Sequence, residues 1–173
     1  MTNINPPSDN RLINAHYYIG VILNSFVLLE NEISYAISEY FLGDSDKVWR
    51  LMDIVLDRLT FESKRASLKA IVEKTEDSNG FIKTKNNSYA CKEFFNELRL
   101  LNDQRNYFAH YFLIQGSNVA HPSNTKDVVL ILTDFRDKGK DHYYTKAYSE
   151  KIVDRIQNAK QAVVRIWEGF SST

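Results

Sequence analysis

A chain of 173 residues carries 22 Lys and Arg against 22 Asp and Glu, a formal net charge of zero, which excludes coating of nucleic acid through overall basicity. Its 43% hydrophobic and 25% charged content excludes a disordered chain and fits a single domain over residues 1–173 with a core of its own. Cys91 is the only cysteine, so no intrachain disulfide and no cysteine-built zinc site can form, and a reducing cytoplasm is the expected location.

Residues 1–9 read as a flexible tail, polar and holding Pro6 and Pro7, with no signal-peptide pattern. Ser8 or Asp9 suits the cap of a long helix that runs to about Phe41. Leu12, Ala15, Ile19, Ile22, Phe26, Leu29, Ile33, Ala36 and Tyr40 alternate steps of three and four, the seam of a helix in a bundle or dimer. Gly43 is placed to end it. The apolar run around Tyr17–Leu29 is broken by Gly20, Asn24 and Ser25, so no membrane span is expected.

Ser45 or Asp46 can cap a second helix to about Leu59, with Val48, Leu51, Val55 and Leu59 inward. Thr60 caps a third, with Phe61, Arg65, Leu68 and Val72 on one side. Lys64, Arg65 and Lys69 make that helix locally basic, which reads first as a solvated face. Glu76–Asn87 is a polar loop. Ser88 can cap a fourth helix to about Gln115, and Gly116–Lys126 is another loop. Asp127–Phe135 is strand-like, Asp137–Asp141 a turn and His142–Tyr148 a return strand, a β-hairpin over about 127–148. Ser149 then caps a last helix to about Phe170, with Ile152, Ile156, Ala159, Val163, Ile166 and Phe170 inward. The class is therefore all-α, a bundle of about five helices with a β-hairpin before the last one.

The fourth helix carries the residues that stand out. Phe94, Leu98, Leu101, Phe108 and Phe112 mark one side of it. Arg105 falls in the gap between Leu101 and Phe108, so a guanidinium that cannot lose its proton sits in an apolar seam and needs an anion or water. His110 stands four residues after Asn106 and seven after Asp103, so these three share a stripe. Arg105 lies about 140° round the helix from His110, within reach of an anion held near the imidazole. A structural reading is also open: Arg105 bridging to Glu30, Glu32 or Asp103, and His110 bonded to a backbone carbonyl.

Arg105, Asn106 and His110 on a long, late helix resemble the HEPN superfamily, whose motif is Arg, four to six residues, then His, often with a polar residue after the arginine. Thr60–Lys64 also resembles a helix start in several bacterial HEPN-like families. The resemblance implies a metal-independent endoribonuclease of toxin or phage-defence type, with no cofactor and no metal. In it the 2′-hydroxyl attacks the adjacent phosphate, His110 serves as general base or acid, Arg105 holds the phosphate and Asn106 orients the histidine or the ribose. Asp103 is either a supporting group for this set or an ordinary surface or interface acid. The implied partners are an RNA substrate such as tRNA or mRNA, a second copy of the chain through the motif helix, and an antitoxin protein, with no membrane. The alternative is a non-catalytic module of the same fold that binds RNA or a nucleotide or serves dimerisation. Some relatives of this kind are controlled by modification of a tyrosine two residues after the histidine; that position is Phe112, a departure that Tyr111 next to it does not repair.

His16, His121 and His142 are scattered and show no metal-ligand spacing. The 10 tyrosines and 10 phenylalanines could stack on bases, but most fall on helical seams, where packing accounts for them.

Overall fold

A computed structural model describes residues 11–43, 45–78, 91–113, 128–134 and 139–171. The predicted tail, the Ser8, Asp9 and Ser88 caps and the Gly116–Lys126 loop lie outside them. Among the described residues the fold is an all-α bundle of five helices with a small antiparallel sheet before the last. The helices are α1 (Arg11–Leu42), α2 (Lys47–Ile54), α3 (Phe61–Ser78), α4 (Lys92–His110) and α5 (Lys146–Ser171). The strands are β1 (Phe112–Leu113), β2 (Val128–Asp134) and β3 (Lys140–Thr145), in the order β1-β2-β3. No helix among these residues is long and apolar enough to cross a membrane.

The chain divides into two compact units, Met1–Phe26 with Asp103–Ile156, and Val27–Asn102 with Gln157–Thr173. The first is built on the sheet. β2 is nearly all apolar, and Leu130, Ile131, Leu132 and Thr133 are buried, as the central strand of three requires. Gly139, just before β3, has φ +73° and donates its N–H to the Asp134 carbonyl at 3.1 Å. The same unit buries Tyr18, Ile22, Phe26, Phe108, Tyr144 and Ile152.

In the second unit α1 buries Leu29, Ile33, Ala36 and Ile37, joined by Phe61, Leu68, Phe95, Leu98 and Val163. The predicted seam of α1 is buried at Ala15, Ile22, Phe26, Leu29, Ile33 and Ala36, while Ile19 and Tyr40 are half-buried and Tyr18 is buried beside Ile19. The helix ends at Gly43 with φ +60°, whose N–H donates to the Glu39 carbonyl at 2.8 Å. Ser34 in α1 is also buried; its hydroxyl is satisfied by the Glu30 carbonyl one turn back.

Four expectations are corrected. The second helix stops at Ile54 and tightens into a 3₁₀ turn, Leu56–Arg58. Val48, Met52 and Leu56 are buried, while Leu51 and Leu59 are half-buried and Val55 is exposed. α3 continues through Glu76 to Ser78, into the predicted loop. α4 ends at His110, not Gln115: Tyr111 closes the last turn on the Tyr107 carbonyl at 3.0 Å, and Phe112 and Leu113 pair with Thr133 and Leu132. The open edge of β2 competes for a segment whose residues favour strand as readily as helix. Finally, β3 runs Lys140–Thr145 and α5 starts at Lys146. Thr145 is the capping side chain, accepting the Tyr148 N–H at 3.1 Å, and Ser149 is buried with its hydroxyl on the Thr145 carbonyl.

Candidate functional site

The last two turns of α4 carry the predicted residues. Leu98, Leu101 and Phe108 are buried, and Arg105, on the same seam, is half-buried. Phe95, not Phe94, is the buried aromatic at the start of the seam. Asp103 and His110 are exposed, and Asn106 between them is half-buried. The stripe predicted for Asp103, Asn106 and His110 thus runs along the outer side of α4, with His110 on its final helical residue. Arg105 and Asp103 both interact with neighbours in the chain.

Two of the carboxylates weighed as partners for Arg105 receive lysines. Glu30 accepts from Lys64 at 2.9 Å, and Glu32 lies 3.4 Å from Lys160. The basic face expected on α3 is corrected by the same pairs. Lys64 is 2% exposed, Arg65 is held by both carboxylate oxygens of Glu62, and Lys69 lies 3.5 Å from Glu73. Arg65 also reaches the Phe95 carbonyl at 3.4 Å and so ties α3 to α4. Its side-chain hydrogen bond holds the Glu62 carboxyl below the usual carboxylate range.

Beside the motif stands a cluster that sequence reasoning missed. β3 alternates, so His142 and Tyr144 share one face of the sheet. On that face His142 stacks on Tyr107 at 5.5 Å with the planes 22° apart, and lies 5.5 Å from Tyr111. Tyr107 and Tyr111, one turn apart on the motif helix, are themselves 4.8 Å apart. Tyr144 packs on Phe108 at 4.9 Å, and burial pushes its phenol well above the usual tyrosine range. The spacing of His142 and Tyr144 was the available signal; what it lacked was the knowledge that this face meets α4.

One end of α4 therefore presents a half-buried guanidinium, a carboxamide, an exposed imidazole and a second imidazole packed against two tyrosines. Such a set can hold an anion and move protons. His16 is exposed on α1, and His121 lies outside the described residues. Among the described residues no three His, Cys, Asp or Glu side chains cluster as metal ligands. No protein-family model, curated protein or solved structure matches the chain.

Proposed function

We propose that the chain is a metal-independent endoribonuclease of toxin or phage-defence type, acting as a homodimer through α4. The observation that carries this reading is the grouping of Arg105, Asn106 and His110 on the last turns of one helix, with the imidazole exposed. Their spacing is that of the HEPN motif, and the all-α architecture is the one that motif implies. Asn96, Leu100, Asp103 and His110 are all exposed at helical spacing, which leaves a side of α4 open to a second copy.

In the proposed reaction the 2′-hydroxyl of the substrate attacks the neighbouring phosphorus. His110 accepts the hydroxyl proton. Arg105 holds the phosphate and offsets the charge that grows on its oxygens. Asn106 orients the imidazole or the ribose. The bond from phosphorus to the 5′-oxygen breaks, that oxygen takes up a proton, and the products are a 2′,3′-cyclic phosphate and a 5′-hydroxyl.

The test is incubation of the purified protein with total RNA and with tRNA in EDTA, beside His110→Ala. Cleavage by the unmutated protein alone, leaving cyclic-phosphate ends, is the expected result. Equal cleavage by a folded His110→Ala would overturn it. Binding of RNA that survives in His110→Ala, with no product from either protein, would replace it with a non-catalytic binding module.

A further inference from the structure

We propose that His142 is the second acid–base group of this site, giving a proton to the departing 5′-oxygen while His110 takes one from the 2′-hydroxyl. The inference rests on the ribonuclease reading of Arg105, Asn106 and His110. In the step, the 2′-oxygen bonds to phosphorus as the bond from phosphorus to the 5′-oxygen breaks. One proton passes from the 2′-hydroxyl to His110 and another from the His142 imidazolium to the 5′-oxygen. Atoms and charge balance with no further reactant.

Chemistry sets the requirement. The attacking and leaving oxygens lie on opposite sides of phosphorus, so one imidazole cannot serve both in one displacement. Arg105 cannot supply the second proton, because a guanidinium keeps its own. Imidazole is the side chain suited to exchange protons near neutrality. Of the histidines among the described residues, His142 is the one whose ring lies against the motif helix.

Geometry supplies the position. Tyr107 is three residues before His110 and Tyr111 is the next residue after it. Residues three apart on a helix have their Cβ atoms about 5–6 Å apart. A ring stacked on Tyr107 and 5.5 Å from Tyr111 is therefore on the stripe next to that of His110. His142 is half-buried, and its strand is fixed by pairing with Leu132. Stacking on Tyr107 takes up one face of the imidazole and leaves its nitrogens in the ring plane. The titratable groups around it are Tyr107 and Tyr111 on α4, with Asp141, Tyr143 and Tyr144 on its own strand. Asp134 on β2 lies across from Lys140 on β3. The Asp141 carboxylate accepts the Thr133 hydroxyl at 2.7 Å.

The competing role is structural, a ring that only fills an aromatic stack. His142→Phe separates the two, since it keeps the ring and removes the proton. Rates are measured on a short RNA spanning the mapped cut site, and on the same RNA with sulfur in place of the leaving 5′-oxygen, since a thiolate departs without a proton. His142→Phe should cleave the ordinary RNA about 10²–10⁴-fold more slowly. It should also lose the alkaline fall of the pH–rate profile and return to within tenfold of the unmutated rate on the sulfur substrate. His110→Ala should not be rescued there. Unmutated rates in His142→Phe, a retained alkaline limb, or loss without sulfur rescue would each overturn the inference while leaving His110 as the base. No cleavage of any RNA by the unmutated protein would remove both readings together.

Discussion

Lys64 on α3 donates to Glu30 on α1 at 2.9 Å, with 3% and 18% of the two side chains exposed. Both charges are largely withdrawn from water, and each is the condition for burying the other. Attraction at this distance roughly offsets the desolvation of two ions, so such a pair adds little over an apolar one. Removing one partner is different, because the Glu30 carboxylate then stays largely buried without the lysine that offsets its charge.

Lys64→Ala is therefore expected to destabilise the fold by about 3–5 kcal/mol, and Lys64→Met with Glu30→Leu by much less. Urea denaturation followed by circular dichroism measures both. If the single variant were as stable as the unmutated protein, the pair would not be holding α3 to α1.

Alkali should unfold the unit that contains the sheet. Burial raises the phenols of Tyr18 and Tyr144 above their usual value, with Glu150 adding to the first and Tyr148 to the second. The folded state thus holds protons that the unfolded chain gives up near pH 10. Stability from this source is complete below that pH and falls as pH rises toward the folded values. Absorbance at 295 nm should show most tyrosines titrating ahead of a delayed step that coincides with loss of helical signal. A smooth titration of all 10 tyrosines with the helix intact would contradict it. Tyr144→Phe should shift the unfolding to higher pH.

Cys91 should be a poor nucleophile. Burial pushes its thiol up to about 11, and Glu76, whose carboxylate lies 3.9 Å from the sulfur, adds to the shift. Because the folded value is raised, the thiol stays protonated well past pH 8. Its thiolate fraction there is about a hundredfold or more below that of an ordinary cysteine, and alkylation by iodoacetamide should slow in proportion. Labelling at the rate of free cysteine would show an open site. Glu76→Gln should accelerate the reaction.

The long helices were legible because their apolar steps repeat many times, and one misplaced residue does not change the phase. The seam of α1 from Ile22 to Ala36 and the inward side of α5 through Ile152, Ile156, Ala159 and Val163 are of this kind. α2 has only eight residues, too few to choose between Leu51 and Met52 as its inward position. β1 was not legible at all, since Phe112 and Leu113 continue the helical spacing and leave the helix only because β2 offers an edge. Lys64 reads as a surface lysine until the Glu30 carboxylate, 34 residues earlier in the chain, is set beside it. At the candidate site the same division holds. Arg105, Asn106 and His110 share one local helix and their spacing is visible in the sequence, whereas His142 meets Tyr107 and Tyr111 of that helix only through the register of β3.

Arg105 offers a way to separate function from folding. It occupies a half-buried place on a seam whose neighbours Leu101 and Phe108 are buried. By burial alone an apolar side chain suits that place as well as a guanidinium. Arg105 also interacts with neighbours in the chain, so Arg105→Leu gives up that interaction and should cost about 0.5–1.5 kcal/mol of unfolding free energy. In the proposed reaction, by contrast, the fork of the guanidinium meets the phosphate, and neither leucine nor the single ammonium of lysine replaces it. Arg105→Leu should lower RNA cleavage by about 10²–10³-fold, and Arg105→Lys by at least tenfold. The two effects are read on the same samples, by urea denaturation and by cleavage rate. A large loss of stability in Arg105→Leu with cleavage reduced only in proportion to the unfolded fraction would make Arg105 a structural residue. A loss of stability this small with cleavage lost is the outcome expected of a residue kept for the phosphate.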